Sequence, residues 1–558
     1  MATEDKYDRQ LRLWGPHGQK RLMECSMLLI GADGVGTETM KNLVLPGVGE
    51  FTVLDGKMVT NDDMSNNFFV TPESVGRPRA EVVVETLCEM NEDVSGSFVV
   101  DDPKTLLMDD TKRNAFLKKF QMVLIANQEQ AVVHAVSKTC WEMNIPLMVV
   151  RAYGMIGYMR SQVRHHEIIE SKPDGGLWDL RIANSFKELE DFALSIDLNE
   201  LDSVQHKHVP FVVILCQVLR KWKMEHGGAL PTWGDKAAMV KAVEAMSNEY
   251  YPKNGFPDEE SRLDFEKFCG INYEDNFKEA RKEVSKAWVP KKASHDLLEM
   301  TKKYREEAGE GLSEFGLLMR ALGIFIDKFG GEVPLAGGIP DMVSSTSMYT
   351  TLQGIFEARA TSDKKAYTDI VNAEIASCGY PRAIETSSID LFCKHVFDAK
   401  CLTLRSLEQE FSEPNTDEIS WYDESPDKEQ TPIMWYLALR AVDRFHKIHG
   451  RLPGAIGNNG SNDDTKQLDE DTDAVHALLQ VLVAELKLPA ENFGEDALSR
   501  KHAQEITRYG GVEMHNTAAV IGGLGAQEAV KLITHQYTPL NNTYIYNGVA
   551  CCGAVYSL

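Results

Sequence analysis

The stretch "LLIGADGVGTETMKNLVL", Leu28–Leu45, decides the fold of this 558-residue chain. Met27–Ile30 is a short apolar run of the kind that forms a buried strand. A glycine turn follows, and Thr37–Leu45 has the spacing of an amphipathic helix that ends at "PGVG". Strand, glycine turn and helix in that order open nucleotide-binding α/β folds, whose helix start offers backbone N–H groups to phosphate. This turn is irregular. Gly31 and Gly36 fill the first and third places of a G-x-G-x-x-G pattern, but Asp33 stands in the second. Glycine there lets the backbone approach a pyrophosphate, whereas aspartate brings bulk and like charge. Two unit charges ~4 Å apart repel by about 4 kcal/mol at an effective dielectric near 20.

Working outward, "EFTVLD" (Glu50–Asp55) is a second strand ending in an acid, and "RAEVVVETLCEMN" (Arg79–Asn91) is a helix. "GSFVV" (Gly96–Val100), "QMVLIAN" (Gln121–Asn127) and "IPLMVVRAYG" (Ile145–Gly154) are further strands. Strands alternating with helices predict a Rossmann-like, mostly parallel, doubly wound α/β sheet. Beyond about Tyr158 the pattern turns to long helices and polar loops. Three helices there end with Gly, an apolar residue and Pro: "KMEHGGALP" (Lys223–Pro231), "IDKFGGEVPL" (Ile326–Leu335) and "HKIHGRLPG" (His446–Gly454). Glycine takes the left-handed conformation at such ends and proline forbids continuation. Trp435, Leu439, Val442 and Phe445 form one stripe of a packed helix. Ser412–Gln430 and Gly457–Asp473 are acidic and turn-rich and read as exposed loops. Ala518–Gly548 returns to α/β texture. The expected organisation is one sheet domain, residues 1–160 and 506–558, interrupted by a mainly helical insertion over 161–505.

Composition narrows the function. There are 84 acidic against 59 basic residues, a formal charge of −25, which disfavours nucleic acid and anionic membrane and suits a partner with basic patches. No apolar run reaches membrane-spanning length, and "MATEDKYDRQLRLWG" has neither signal-peptide nor transit-peptide character. A cytoplasmic, and also nuclear, setting is expected. Ten cysteines are spread without C-x-x-C spacing, so neither zinc nor a dithiol redox pair is signalled, and all ten are expected to be buried structural thiols. "RHHE" (Arg164–Glu167) pairs two histidines, but adjacent residues of a helix do not share a face and no third metal ligand is in view.

"YDRQLRLWG" (Tyr7–Gly15), the glycine turn, "VLDG", "SVGRPRAE" (Ser74–Glu81) and "IGGLGAQEAVKLIT" (Ile521–Thr534) together resemble the ubiquitin-like modifier activating enzymes. Within that family "NLVLPGVGEFTVLDG", "NNFFV", "YGMIGYMR", "LALRAVDRFHKIHGRLPG" and "NNTYIYNG" look most like the non-catalytic, regulatory subunits of the neddylation branch. The resemblance runs from Tyr7 onward and is weakest in the two acidic loops. It implies two partners, a cysteine-bearing catalytic subunit holding ATP and Mg²⁺, and a Nedd-type ubiquitin-like modifier. The implied reaction is adenylation of the modifier's terminal carboxylate and capture as a thioester by the partner.

Carried over residue by residue, the family's nucleotide site is degenerate here. The ribose-holding acid is present as Asp55, and Gly31 and Gly36 remain. Asp33 replaces a glycine, Asn66 an arginine, Arg79 the phosphate-binding lysine, and Gln128 the magnesium-binding aspartate. No cofactor and no metal is therefore expected in this chain. No cysteine is followed by threonine, as the family's catalytic cysteine is; Cys140 precedes Trp141, and Cys216 sits in the apolar helical run "FVVILCQVL". Arg9, in "YDRQ", matches an arginine that reaches across the interface into the other subunit's nucleotide site, where it can stabilise phosphate charge. The small-residue stripe Ala526, Ala529, Val530, Ile533 is expected in core or subunit contact. The segment Val333, Pro334, Leu335, Ile339, Pro340, Met342 either caps the insertion or docks a partner; docking is the expectation. The alternatives are a self-sufficient ATP-dependent adenylating enzyme of the same family, a Rossmann dehydrogenase, and a scaffold without chemistry.

Overall fold

The computed structural model describes residues 6–172, 178–253, 255–256, 258–307, 311–420, 430–455, 462–493 and 498–558. The chain divides into two compact units, one made of Met1–Ile168 with Cys401–Leu558 and the other of Ile169–Lys400.

Among the described residues, the first unit is built on a nine-stranded sheet. In chain order its strands are β1 (Ser26–Ile30), β2 (Glu50–Leu54), β3 (Ser95–Val99), β4 (Met122–Ala126), β5 (Leu147–Tyr153), β6 (Ile156–Ile168), β7 (Lys400–Leu404), β8 (Thr543–Asn547) and β9 (Cys552–Tyr556). The order across the sheet is β3-β2-β1-β4-β5-β6-β8-β9, with β7 also on β6. The first five pair in parallel, and β5–β6, β6–β8 and β8–β9 are antiparallel. Every residue of β1 and β4 is buried, which is why those strands read as unbroken apolar runs.

Helix α1 (Asp8–Met23) precedes the sheet, α2 (Gly34–Val44) leaves the glycine turn, and α3 (Arg79–Met90) and α4 (Gln130–Met143) make two further crossovers. Later come α5 (Pro432–His449), α6 (Asn462–Glu485), α7 (Arg500–Tyr509) and α8 (His515–Thr534). Of the expected stripe on α8, Ala526 and Ala529 are buried and Val530 and Ile533 are half-buried against the same core. Gly522 lets α8 lie on α2: a Cβ there would come 2.7 Å from Glu38 Cβ and 2.9 Å from the Thr39 backbone nitrogen.

The predicted insertion boundary at 505 is corrected to 400. The Trp435, Leu439, Val442, Phe445 stripe of α5 packs in one core with Tyr153, Ile156 and Ile545 of the sheet. Helical texture alone does not say which core a helix serves. Gly457–Asp473 is also not all loop, because α6 begins at Asn462; residues 457–461 lie outside the described residues. Likewise Thr416–Ser420 is helical within the other predicted loop, and residues 421–429 lie outside the description.

The second unit is helical among its described residues, with two apolar cores. Two of the three foreseen helix ends fall here, with Gly227 and Gly330 at φ of +61° and +64°; the third, Gly450, has φ +70°. The Gly228 and Gly331 N–H groups donate back to Lys223 O and Ile326 O, as a Schellman end requires. The docking expectation fails on burial. Val333 lies in one core of this unit and Leu335, Ile339 and Met342 in the other. Pro334 is buried and Pro340 half-buried, so the segment's apolar surface is spent inside its own unit.

Candidate functional site: an occupied glycine turn

The turn sits at the C-terminal ends of β1 and β4, where doubly wound sheets bind ligands. Gly31 has φ +97°, and a Cβ on it would meet Ala126 O at 2.5 Å and Gln128 Nε2 at 2.6 Å. A Cβ on Gly36 would lie 2.6 Å from Gly31 O. These two glycines are demanded by the tightness of the turn itself, whatever binds there.

Asp33 occupies the N-cap position of α2 but makes no capping hydrogen bond, and its Oδ1 has no partner. The free N–H groups at the helix start are taken by a residue far away in sequence. Glu513 Oε2 accepts from Gly34 N (2.7 Å), and Oε1 accepts from Val35 N (3.0 Å) and Asn127 Nδ2 (2.7 Å). A carboxylate of the chain itself thus fills the anion position of the turn. Burial, reinforced by Asp33, pushes the Glu513 carboxyl up to about 8. Burial raises Asp33 as well, against the pull of Arg79. The two titrate as a pair. With three N–H donors on Glu513, the charge of the pair resides there and the proton on Asp33.

Asp55 is equally committed. Its Oδ2 accepts from Ala32 N (2.8 Å) and from Arg79 Nε (3.0 Å) and Nη2 (2.6 Å), and its Oδ1 from Lys57 N (2.8 Å). The remaining arm of Arg79 donates to Asp63 Oδ1 at 2.8 Å. Arg79, where the resemblance expects a phosphate-binding lysine, is instead a buried fork between two carboxylates.

The cleft outside the turn has a volume of about 510 Å³, ample for a nucleotide, so size does not exclude one. Its charge does. Asp33, Asp62, Asp63, Glu129, Asp443 and Glu513 line it against Lys57, Arg79 and Arg151. Arg151 Nη1 donates to Asp443 Oδ1 at 2.7 Å, which leaves Lys57 the one lining cation without a hydrogen-bonded carboxylate among the described residues. Gln128 presents a neutral amide turned back on Ala126 O (3.0 Å), a poor ligand for Mg²⁺ beside an anionic oxygen. No group of His, Cys, Asp and Glu among the described residues could hold a metal ion. The residues present do not fit a triphosphate with its metal.

Gly31, Asp33, Gly36, Asp55, Asn66, Arg79 and Gln128 are thus gathered around one turn and cleft, with Asn66 on the rim. Arg9 does not line the cleft; it is exposed on α1. The start of α1 is held by Tyr7, buried and bonded through its hydroxyl to Asp93 Oδ2 (3.0 Å) and from Asn91 Nδ2 (3.1 Å). Glu513 and Asn67 were not legible. Asn67 is buried and ties Ala32 O to the Phe69 N–H, yet sits in an ordinary "NNFFV". Glu513 reaches the turn only through folding, and "GGVEMHN" gives no local sign of it.

The cysteine expectation holds for four of ten. Cys25, Cys140, Cys216 and Cys393 are buried, and burial pushes each up to about 12. The other six are half-buried or exposed, and all ten are free thiols. "RHHE" lies on β6, where alternate residues share a side, so the helical argument about it does not apply.

Residues 7–550 match the ThiF family. The chain is 37% identical to a NEDD8-activating enzyme E1 regulatory subunit of Xenopus laevis, over 100% of this chain and 98% of that protein. It is 36% identical to one of Danio rerio over 100% and 99%, and 34% identical to the subunit AXR1 of Arabidopsis thaliana over 98% and 95%.

Proposed function

Because the chain belongs to the ThiF family and is similar over its full length to NEDD8-activating enzyme E1 regulatory subunits, we propose that it is the regulatory half of such an enzyme. Its partners are a catalytic, cysteine-bearing subunit and the NEDD8-type modifier. The assembly joins the modifier's terminal carboxylate to AMP, releasing pyrophosphate, and passes it as a thioester to the partner's cysteine. ATP and Mg²⁺ bind on the partner.

The observation that carries this reading is Glu513 on the Gly34 and Val35 N–H groups. A turn that already holds an anion, in a cleft lined by acids, is a framework element and not a nucleotide cradle. The same observation weighs against a self-sufficient adenylating enzyme. Arg9, exposed on an anchored helix, acts in trans on the partner's nucleotide, as a guanidinium can without proton transfer. Ten free thiols support a reducing, cytoplasmic and nuclear setting.

The test is modifier-dependent pyrophosphate exchange by the chain alone, the catalytic subunit alone and the two mixed. Only the mixture should exchange. Exchange by this chain alone would overturn the assignment.

A further inference from the structure

Strand geometry places His165 and Glu167, two residues apart on β6, on one side of the sheet. Strand β7 brings Cys401 to the same place. Cys401 Sγ lies 3.2 Å from His165 Nδ1, and His165 Nε2 lies 3.1 Å from Glu167 Oε1. The backbone carrying the imidazole is pinned. Asn144 receives the His165 N–H (2.8 Å) and donates to His165 O (3.0 Å), while Thr403 Oγ1 donates to Arg164 O (2.8 Å). Thiol, imidazole and carboxylate in sequence are a nucleophile, its base and the group that orients the base.

Hydrogen bonds to Cys401 first, and then to Glu167, push His165 up to about 9, so a cation stands beside the sulfur at neutral pH. The other ionisable groups around the pocket lined by His165 are Arg21, Glu24, Cys25, His166 and His535. Burial holds His166 down at about 3 and His535 at about 4, so neither imidazole competes with His165 for its proton. Cys401 is half-buried.

We infer that Cys401, held by His165 and Glu167, is a primed sulfur nucleophile of this chain whose reactant is a small hydroperoxide. The sulfur attacks the terminal peroxide oxygen, an S–O bond forms and the O–O bond breaks. The departing oxygen takes the His165 proton and leaves as water or alcohol. The thiol is oxidised to sulfenic acid and the peroxide is reduced, with no further reactant.

The test labels the full chain with substoichiometric iodoacetamide and reads each of the ten cysteines by peptide mass spectrometry. Cys401 should react at least tenfold faster than the exposed Cys551 at pH 7. His165→Gln and Glu167→Gln should slow Cys401 and leave Cys551 unchanged. Hydrogen peroxide followed by dimedone should mark Cys401 in the native chain and not in Cys401→Ser. Labelling of Cys401 no faster than Cys551, or no dimedone adduct at Cys401, would each overturn the inference; the native-chain arms decide it even where a variant fails to fold.

Discussion

At the scale of single residues the chemistry of this chain is a matter of where carboxylates go. The buried Asp33–Glu513 pair folds with a carboxyl raised to about 8 from an ordinary value near 4.5, so the native pair keeps a proton that the unfolded chain releases. The stability linked to that proton is fully present below pH ~4.5 and is lost as pH rises through about 8. Thermal denaturation from pH 5 to 8.5 should therefore show a falling Tm for the native chain and a flatter profile for Glu513→Gln; an identical slope would disprove the buried pair. Arg79 is the complementary case. It is 6% exposed and holds Asp55 and Asp63, so Arg79→Ala leaves two acids without their counter-ion. Breaking a buried pair in this way costs roughly 3–5 kcal/mol, readable as a lower urea midpoint, and Arg79→Lys should recover part of it. Arg9 is exposed, and Arg9→Ala should leave the urea midpoint unchanged while slowing adenylation by the assembled enzyme at least tenfold. An unchanged rate removes Arg9 from the mechanism.

At the scale of elements, α2 and α8 carry the site between them. The turn is closed from one side by Gly31 and Gly36 and from the other by Glu513, two residues before α8 begins. Gly522 sets how closely these helices approach, because any side chain there runs into Glu38 and the Thr39 backbone. Gly522→Ala should lower stability by about 1–3 kcal/mol through overpacking, despite the better helix propensity of alanine. Far-UV circular dichroism through the unfolding transition checks the sign: a rise in stability would mean that the helices are free to part. Element identity was largely legible. The apolar runs became β1, β2, β4 and β5 within a residue or two of expectation, and α2 starts three residues earlier because the glycine turn is itself its first turn. Strand β6 was missed, since "YMRSQVRHHE" mixes charge into a strand whose neighbours on both sides hide most of it. With it were missed the shared face of His165 and Glu167 and the thiol across from them.

At the scale of the molecule, the first unit is interrupted by 232 residues, Ile169–Lys400, yet its two halves share one sheet. Strand β7 returns along β6, with Cys401 beside His165 and Thr403 bonded to Arg164, so the chain leaves and re-enters this unit at neighbouring points. Replacing residues 169–400 by a short Gly/Ser linker should therefore leave a unit that unfolds in one cooperative transition. A chain without a sigmoidal melt would show that the first unit depends on the second. By itself the sequence determined strands β1 to β5, the glycine turn and the three glycine-ended helices, because each rests on residues close together in the chain. Tertiary structure alone decided that the helices after Lys400 serve the sheet's core, that Val333, Leu335, Ile339 and Met342 are interior, and that Glu513 seals the turn. Those three depend on which distant surfaces meet, and apolar periodicity records that a face is buried without recording against what.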